Sequence, residues 1–369
     1  HFLSKLYLEQ LKTKEIEKKG IIYTPVEVAR LLAETVLHPF NKGKKDLIAL
    51  DPCCGTGVIL IELFRAILAL WPQQRQRDLY FRKGLLQSSI WGIDIDKTAS
   101  EICRILLCIE CIKTTPPSLI SKRFLTELIL SFKDNIAIGN PLLFSASSLA
   151  NKTSPLALIL NKRFDCVVTN PPYGISRENK ISKNELIKLK KIYKKYKFGN
   201  VNKYMVFMAL GEKLLSSCGS LVMIVPNSWL GIKAGQKLRE LWLKEKHLWK
   251  VIRCPQNTFK DIGVEPVIFA YFKGRKHKTL KVETVSTFNN SATSLIKINQ
   301  NLLLKLPAFT IPTFWLKGTE TLVKKIIKNS VSLLNIGLPL KPCIALQEYL
   351  EGHGNPVQTK ETVKARPFH

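Results

Sequence analysis

The sequence predicts an α/β fold, a doubly wound and mostly parallel sheet of seven strands joined by helical crossovers. Three observations predict it. Short apolar runs at residues 47–50, 90–94, 136–138, 165–169, 220–225, 251–254 and 266–272 read as buried strands. Helical patterns fill most of the intervals between them. Two runs end at polar residues, Asp51 before a glycine-rich turn and Asn170 before two prolines, and open α/β sheets place their ligands at such strand ends.

Taken in order, residues 1–20 are a charged, amphipathic lead that predicts a helix ending at Gly20. Residues 21–298 hold the strands and form the main domain. Within it, the basic, Gln-rich residues 72–84 read as an insertion. Residues 173–204, dense in lysine with interleaved tyrosines, read as a long loop or excursion. After about Gly274 the sheet pattern fades; residues 299–369 carry one helical pattern at 318–329 and then a polar, Gly-rich stretch that reads as the opening of another domain.

At 369 residues and 46% hydrophobic content the chain can bury a sizeable core and is no disordered tail. Its formal charge of +29 exceeds what solubility requires and points to a polyanionic partner, most economically nucleic acid; the bland alternative is a solvated basic surface. The longest apolar stretch, residues 58–71, is broken by Glu62 and Arg65 and is short for a bilayer, so neither a membrane span nor a signal peptide is expected. Nine scattered cysteines lack the spacing of a secreted disulfide framework and read as reduced thiols of a cytoplasmic protein. Cys108 and Cys111 form a CxxC with no second pair nearby, so they are assigned to a helix face in the core and no metal site is expected. The chain opens at His1 without a methionine and is expected to be a fragment at both ends.

Three clusters carry chemistry. In LIALDPCCGTGVILIELF a strand ends at Asp51, and Gly55 and Gly57 let the backbone pass close beneath a ligand before an apolar helix begins. The spacing is not GxGxxG, so a dinucleotide pyrophosphate is a poor fit. In IWGIDID the carboxylate of Asp94 can accept both hydroxyls of a ribose, while Asp96 is better explained as a helix cap. In TNPPYG the prolines fix φ and remove two backbone donors, which frees the Pro171 carbonyl. The Asn170 side-chain oxygen and that carbonyl suit a planar amino group with two N–H donors, and Tyr173 can stack on the ring that carries it.

The order of Tyr23-Thr24-Pro25, DPCCGTG, GIDID, GNPL, NPPY, a helix around Tyr204 and TFKDIG resembles the S-adenosylmethionine-dependent amino-methyltransferases of DNA, in the gamma arrangement of adenine methyltransferases. The likeness covers about residues 20–275; residues 334–369 are more weakly similar to the start of a target-recognition domain in type IIG restriction-modification methylases. The resemblance implies a class I, Rossmann-like methyltransferase domain at 21–298 and a truncated target-recognition domain at 299–369. It implies that Tyr23, Thr24, Pro25, Asp51, Cys53, Gly55 and Gly57 hold the methionine end of S-adenosyl-L-methionine, Asp94 its ribose and Asn140 its adenine. Asn140 stands where relatives often have Asp, and the doubled cysteine departs from the commoner single one, with Cys53 where a small side chain is tolerated.

The implied reaction needs no metal and no histidine or cysteine nucleophile. Asn170 and the Pro171 carbonyl would accept the two hydrogens of an exocyclic adenine nitrogen and direct its lone pair at the sulfonium methyl, with Pro172 stiffening the turn. A duplex base must be flipped to reach this site, and Tyr173 and Phe259 are the candidates to stack on its two faces. Lys183, Lys190, Lys194 and Lys197 are candidates for the DNA backbone. The expected partners are double-stranded DNA and a nuclease or specificity domain or subunit outside this segment, in a restriction-modification or related defence system. Methylation of cytosine N4 or of RNA, and a catalytically idle DNA-binding scaffold, are the alternatives.

Overall fold

The computed structural model describes residues 23–40, 44–144, 153–173, 181–198, 201–255, 258–259, 265–288, 293–313, 315 and 319–329. The expected helical lead at 1–20 and the stretch at 334–369 lie outside them. Among the described residues, nine strands form one sheet in the order β3-β2-β1-β4-β5-β7-β6-β8-β9. They are β1 (Ala49–Asp51), β2 (Ile90–Asp94), β3 (Ile136–Ile138), β4 (Phe164–Thr169), β5 (Leu215–Pro226), β6 (Leu248–Arg253), β7 (Pro266–Phe272), β8 (Thr279–Thr284) and β9 (Ser294–Asn299). The helices are α1 (Val26–Leu37), α2 (Val58–Leu68), α3 (Gln73–Arg77), α4 (Leu79–Ser89), α5 (Lys97–Ile112), α6 (Lys122–Ser131), α7 (Pro155–Leu160), α8 (Lys183–Ile192), α9 (Lys203–Leu214), α10 (Gln236–Glu245), α11 (Gln300–Leu303) and α12 (Thr319–Asn329).

Strands β3, β2, β1, β4 and β5 run parallel, and β7 enters antiparallel between β5 and β6. Successive strand residues point to opposite faces. Ala49, Ile90, Ile136, Cys166 and Val222 therefore enter one core with α1, α2 and α5, while Leu50, Ile93, Ala137, Val167 and Leu221 enter the other with α7, α9 and α10. Burial on both faces is why these strands read as continuous apolar runs.

The expected seven strands are all present, and β8 and β9 extend the sheet where the pattern faded. Their residues are half exposed and include Lys281 and Lys297, so neither gives an apolar run. The chain divides into two compact units after Glu320, not at residue 299. Leu302, Leu303 and Ile311 are buried in the core of the first unit, which keeps residues 300–313 with the sheet. The lysine-rich excursion is also more ordered than a loop. Ser182 accepts from the Glu185 N–H at 3.2 Å while Glu185 accepts from the Ser182 N–H at 3.1 Å, a capping box that starts α8.

Two polar anchors fix the outer half of the sheet. Glu212, on α9, accepts from Tyr196 Oη at 2.9 Å, Lys195 Nζ at 2.8 Å and Trp242 Nε1 at 2.5 Å. Arg239, fully buried on α10, donates to the carbonyls of Trp229, Gly231, Ile232, Ala308 and Phe309. A buried charge is tolerable when its donors are satisfied, and here the guanidinium ties the turns after β5 to residues 308–309.

Candidate active site

The strand order reverses between β1 and β4: the chain winds outward through β2 and β3, then returns to place β4 on the other side of β1. Such a switch point leaves a crevice at the carboxyl ends of the two strands. Asp51 ends β1, and Asn170 follows β4.

The turn after β1 depends on its glycines. Gly55 and Gly57 have φ of +51° and +88°, a region that side chains disfavour. A Cβ on Gly57 would also stand 2.6 Å from Cys103 Sγ. Beneath the turn sit two carboxyl groups. Asp51 is 1% exposed, and its Oδ1 accepts from the Cys53 N–H at 3.0 Å. Burial pushes its pKa up to about 7, against the pull of the neighbouring Thr169 hydroxyl and the Cys53 N–H, with the charge of Asp94 adding to the rise. Asp51 Oδ2 and Thr169 Oγ1 are buried without a hydrogen bond of normal geometry among the described residues. Asp94 accepts from the Gly55 N–H at 2.7 Å through Oδ2 and from the Asp96 N–H at 2.8 Å through Oδ1. Burial raises its pKa while those backbone donors restrain the rise. Asp94 thus braces the glycine turn as well as standing at the end of β2. Asp96 caps α5 through the Ala99 N–H, as the sequence implied.

The Asn170 segment meets the far end of the chain. Thr24, just before α1, accepts a hydrogen bond from Asn170 Nδ2 at 3.1 Å, and Tyr23 packs against the core beside it. Pro171 is buried and Pro172 half-buried. Tyr173 and Phe259 come together, but as an edge-to-face pair with centroids 6.1 Å apart and planes at 75°. A base clasped between two rings needs them parallel and about 7 Å apart, two carbon contacts of ~3.5 Å. In this structure the rings pack on each other, so the expected sandwich requires Phe259 to swing away. Burial holds the Tyr173 phenol well above its ordinary pKa.

Asn140 follows β3, where its Oδ1 accepts from the Leu142 N–H at 3.0 Å and caps the short turn Pro141–Leu143. The half-buried Cys53 sits in the glycine turn, its thiol held protonated by burial. Lys183, Lys190, Lys194 and Lys197 are exposed on and just after α8. Cys103, Cys108 and Cys111 line the buried face of α5.

Thr169 is the residue that the sequence reading passed over. Its signal was its place as the last residue of the strand preceding Asn170, on the neighbour of β1. The second contact missed was between Tyr204 Oη and Ser228 Oγ, 3.3 Å apart, which joins α9 to the turn after β5. No local pattern marks a pairing between residues so far apart in the chain.

The reversed sheet, the glycine turn and the strand-end acids define a class I S-adenosylmethionine-dependent methyltransferase fold. Residues 88–259 match the family model described as Eco57I restriction-modification methylase. The chain is 27% identical over 284 residues to the type II restriction enzyme and methyltransferase RM.Eco57I of Escherichia coli, covering 68% of this chain and 28% of that protein. It is 25% identical over 241 residues to the type II methyltransferase M.VspI of Vibrio sp. (strain 343), covering 64% of this chain and 44% of that protein. The chain therefore spans less than half the length of these curated relatives. Among solved structures, a DrdV–DNA complex superposes with a TM-score of 0.59 over 78% of this chain and 30% of that one, at 16% identity.

Proposed function

We propose that this chain is the methyltransferase module of a restriction-modification enzyme and transfers the methyl group of S-adenosyl-L-methionine to the N6 amino group of a flipped-out adenine in double-stranded DNA. One observation carries the reading: Asn170-Pro171-Pro172-Tyr173 follows β4 at the sheet reversal, beside the glycine turn of β1, with Asn170 hydrogen-bonded to Thr24. The cofactor supplies an electrophilic methyl; the chain supplies alignment and polar stabilisation. The glycine turn gives backbone close approach, Asp51 and Thr169 offer buried polar atoms to the amino-acid end, and Asp94 offers the ribose an acceptor that already braces Gly55. The cap role of Asn140 leaves its Oδ1 a second lone pair for the adenine of the cofactor.

The Asn170 oxygen and the Pro171 carbonyl accept from the target amino group, so that its nitrogen lone pair turns towards the methyl. Tyr173 stacks on the flipped base, and Phe259 closes over the other face once the two rings part. The lysines of α8 and the turn after it contact phosphates, which gives affinity without sequence choice. Base reading and any nuclease activity belong to parts of the enzyme outside the described residues. The test is transfer of labelled methyl from S-adenosylmethionine to mixed-sequence duplex DNA, followed by nucleoside digestion. Label in N6-methyladenine supports the reading. Label in N4-methylcytosine, label only with RNA as acceptor, or no label despite cofactor binding, overturns it.

A further inference from the structure

We propose that Asp51 couples cofactor binding to the loss of a proton: it stands as a neutral acid in the free protein and gives its proton to solvent when it pairs with the α-ammonium of the methionine end. The inference rests on the cofactor reading above and adds this coupling to it. The two acids under the glycine turn are housed differently. Asp94 accepts from the Gly55 and Asp96 N–H groups, one on each oxygen. Asp51 accepts from the Cys53 N–H through Oδ1, while its Oδ2 is buried without a hydrogen bond of normal geometry among the described residues. Asp51 is only 1% exposed, and no lysine or arginine pairs with it among the described residues. A carboxylate so placed bears a large desolvation penalty, which a proton removes.

The titratable groups that face Asp51 do not offset that penalty. Asp94, at the end of β2, adds like charge. In the turn, Cys53 is held protonated by burial, and Cys54 by the Cys103 thiol and by burial, so neither supplies a cation. From β4 comes the buried hydroxyl of Thr169. A hydroxyl accepts from an acid and donates to a carboxylate, so Thr169 accommodates both states of Asp51. Burial accordingly pushes the Asp51 pKa up to about 7. An ammonium reverses the balance, because a cation against the carboxylate favours the charged form. The acid's O–H bond breaks, its proton goes to buffer, and the ion pair is as neutral overall as the acid was. Linkage fixes the sign. Below about pH 7 binding must strip a proton, so affinity falls as pH falls; above it the proton is already gone and affinity levels off.

The test is calorimetry on the full-length protein with S-adenosylhomocysteine, which keeps the ammonium and has no methyl to transfer. Titrations at about pH 6, in buffers of different ionisation enthalpy, count the protons released where the ligand amine is itself fully charged. The parent should release about 0.9 proton per ligand bound, and its Kd should be roughly 20-fold tighter at about pH 7.5 than at about pH 5.5. Asp51→Asn copies the neutral acid in shape, so it should fold. It should release no proton, and its Kd should vary by less than about 3-fold over the same range. Asp94→Asn should keep the release, and it carries the test if Asp51→Asn binds too weakly to titrate. Binding by the parent without release, release that persists in Asp51→Asn, or release lost in Asp94→Asn overturns the coupling and leaves the cofactor reading standing. No binding by the parent removes the cofactor reading, and the coupling falls with it.

Discussion

The two halves of the sheet do different work. In the parallel half, β3-β2-β1-β4-β5, strands end in buried polar groups: Asp51, Asp94 and Thr169, with Asn170 just beyond. In the outer half, β7-β6-β8-β9, the buried Glu212 and Arg239 are anchors instead, and aromatic packing dominates. Trp242, for example, lies 5.2 Å from Phe269 and 5.0 Å from Tyr271. The contrast follows from topology. Parallel strands joined by crossovers bring their carboxyl ends to one edge, where polar groups can converge on a ligand. In the outer half β7 and β9 run antiparallel to their neighbours and only β6 and β8 pair in parallel, so strand ends mostly alternate along that edge. The inner half gathers its buried polar groups at the strand ends, while in the outer half Glu212 and Arg239 use theirs to hold elements together.

That division can be broken at either side. Asn170→Ala should have the largest effect, a loss of at least ~10³-fold in methyl transfer with cofactor affinity retained, as expected for removing a group that stabilises the transition state; transfer assays and calorimetry on one preparation check it. Arg239→Met should do the converse. It strands five backbone carbonyls and should lower the unfolding free energy by about 3 kcal/mol, read by denaturant titration, with little change in cofactor affinity per folded molecule. If it abolished cofactor binding in folded protein, the two halves would not be separable in this way.

Replacing Lys183, Lys190, Lys194 and Lys197 together with Gln should weaken DNA binding. The slope of log affinity against log salt should become shallower by up to about 0.9 for each lysine that had neutralised a phosphate; an unchanged slope would leave these lysines a merely solvated face. The last prediction concerns pH. Asp51 keeps its proton in the native state up to about 7, whereas the unfolded chain releases it near ~4. Across that window the native state holds more protons, so stability falls as pH rises, by at most ~1.4 kcal/mol per pH unit, and levels off above it. Asp51→Asn should remove this slope, visible as the difference between parent and variant Tm over pH 4 to 8.

Much of the inner half was legible because it is written locally. A strand buried on both faces is an apolar run, a positive φ is a glycine, and two prolines after a strand remain two prolines; β2, β3 and β7 follow the expected bounds for these reasons. The outer strands were harder. β8 and β9 are half exposed, so their sequences match a loop as well as a strand until partners exist to pair with them. The capping box of α8, Ser182 with Glu185, was present in the sequence, but the surrounding lysines obscured it.

The sequence by itself determined the class of fold, the family resemblance and the residues at the strand ends, because those depend on periodicity and on short motifs. Only the tertiary structure decided how they meet. It set Thr24 against Asn170 across 146 positions of chain, bound Asp94 to the Gly55 N–H, and turned Tyr173 edge-on to Phe259. Such contacts depend on where the sheet reverses and which helices dock beside it, and hydrogen-bond partners fixed by long-range packing leave no periodic trace in the sequence.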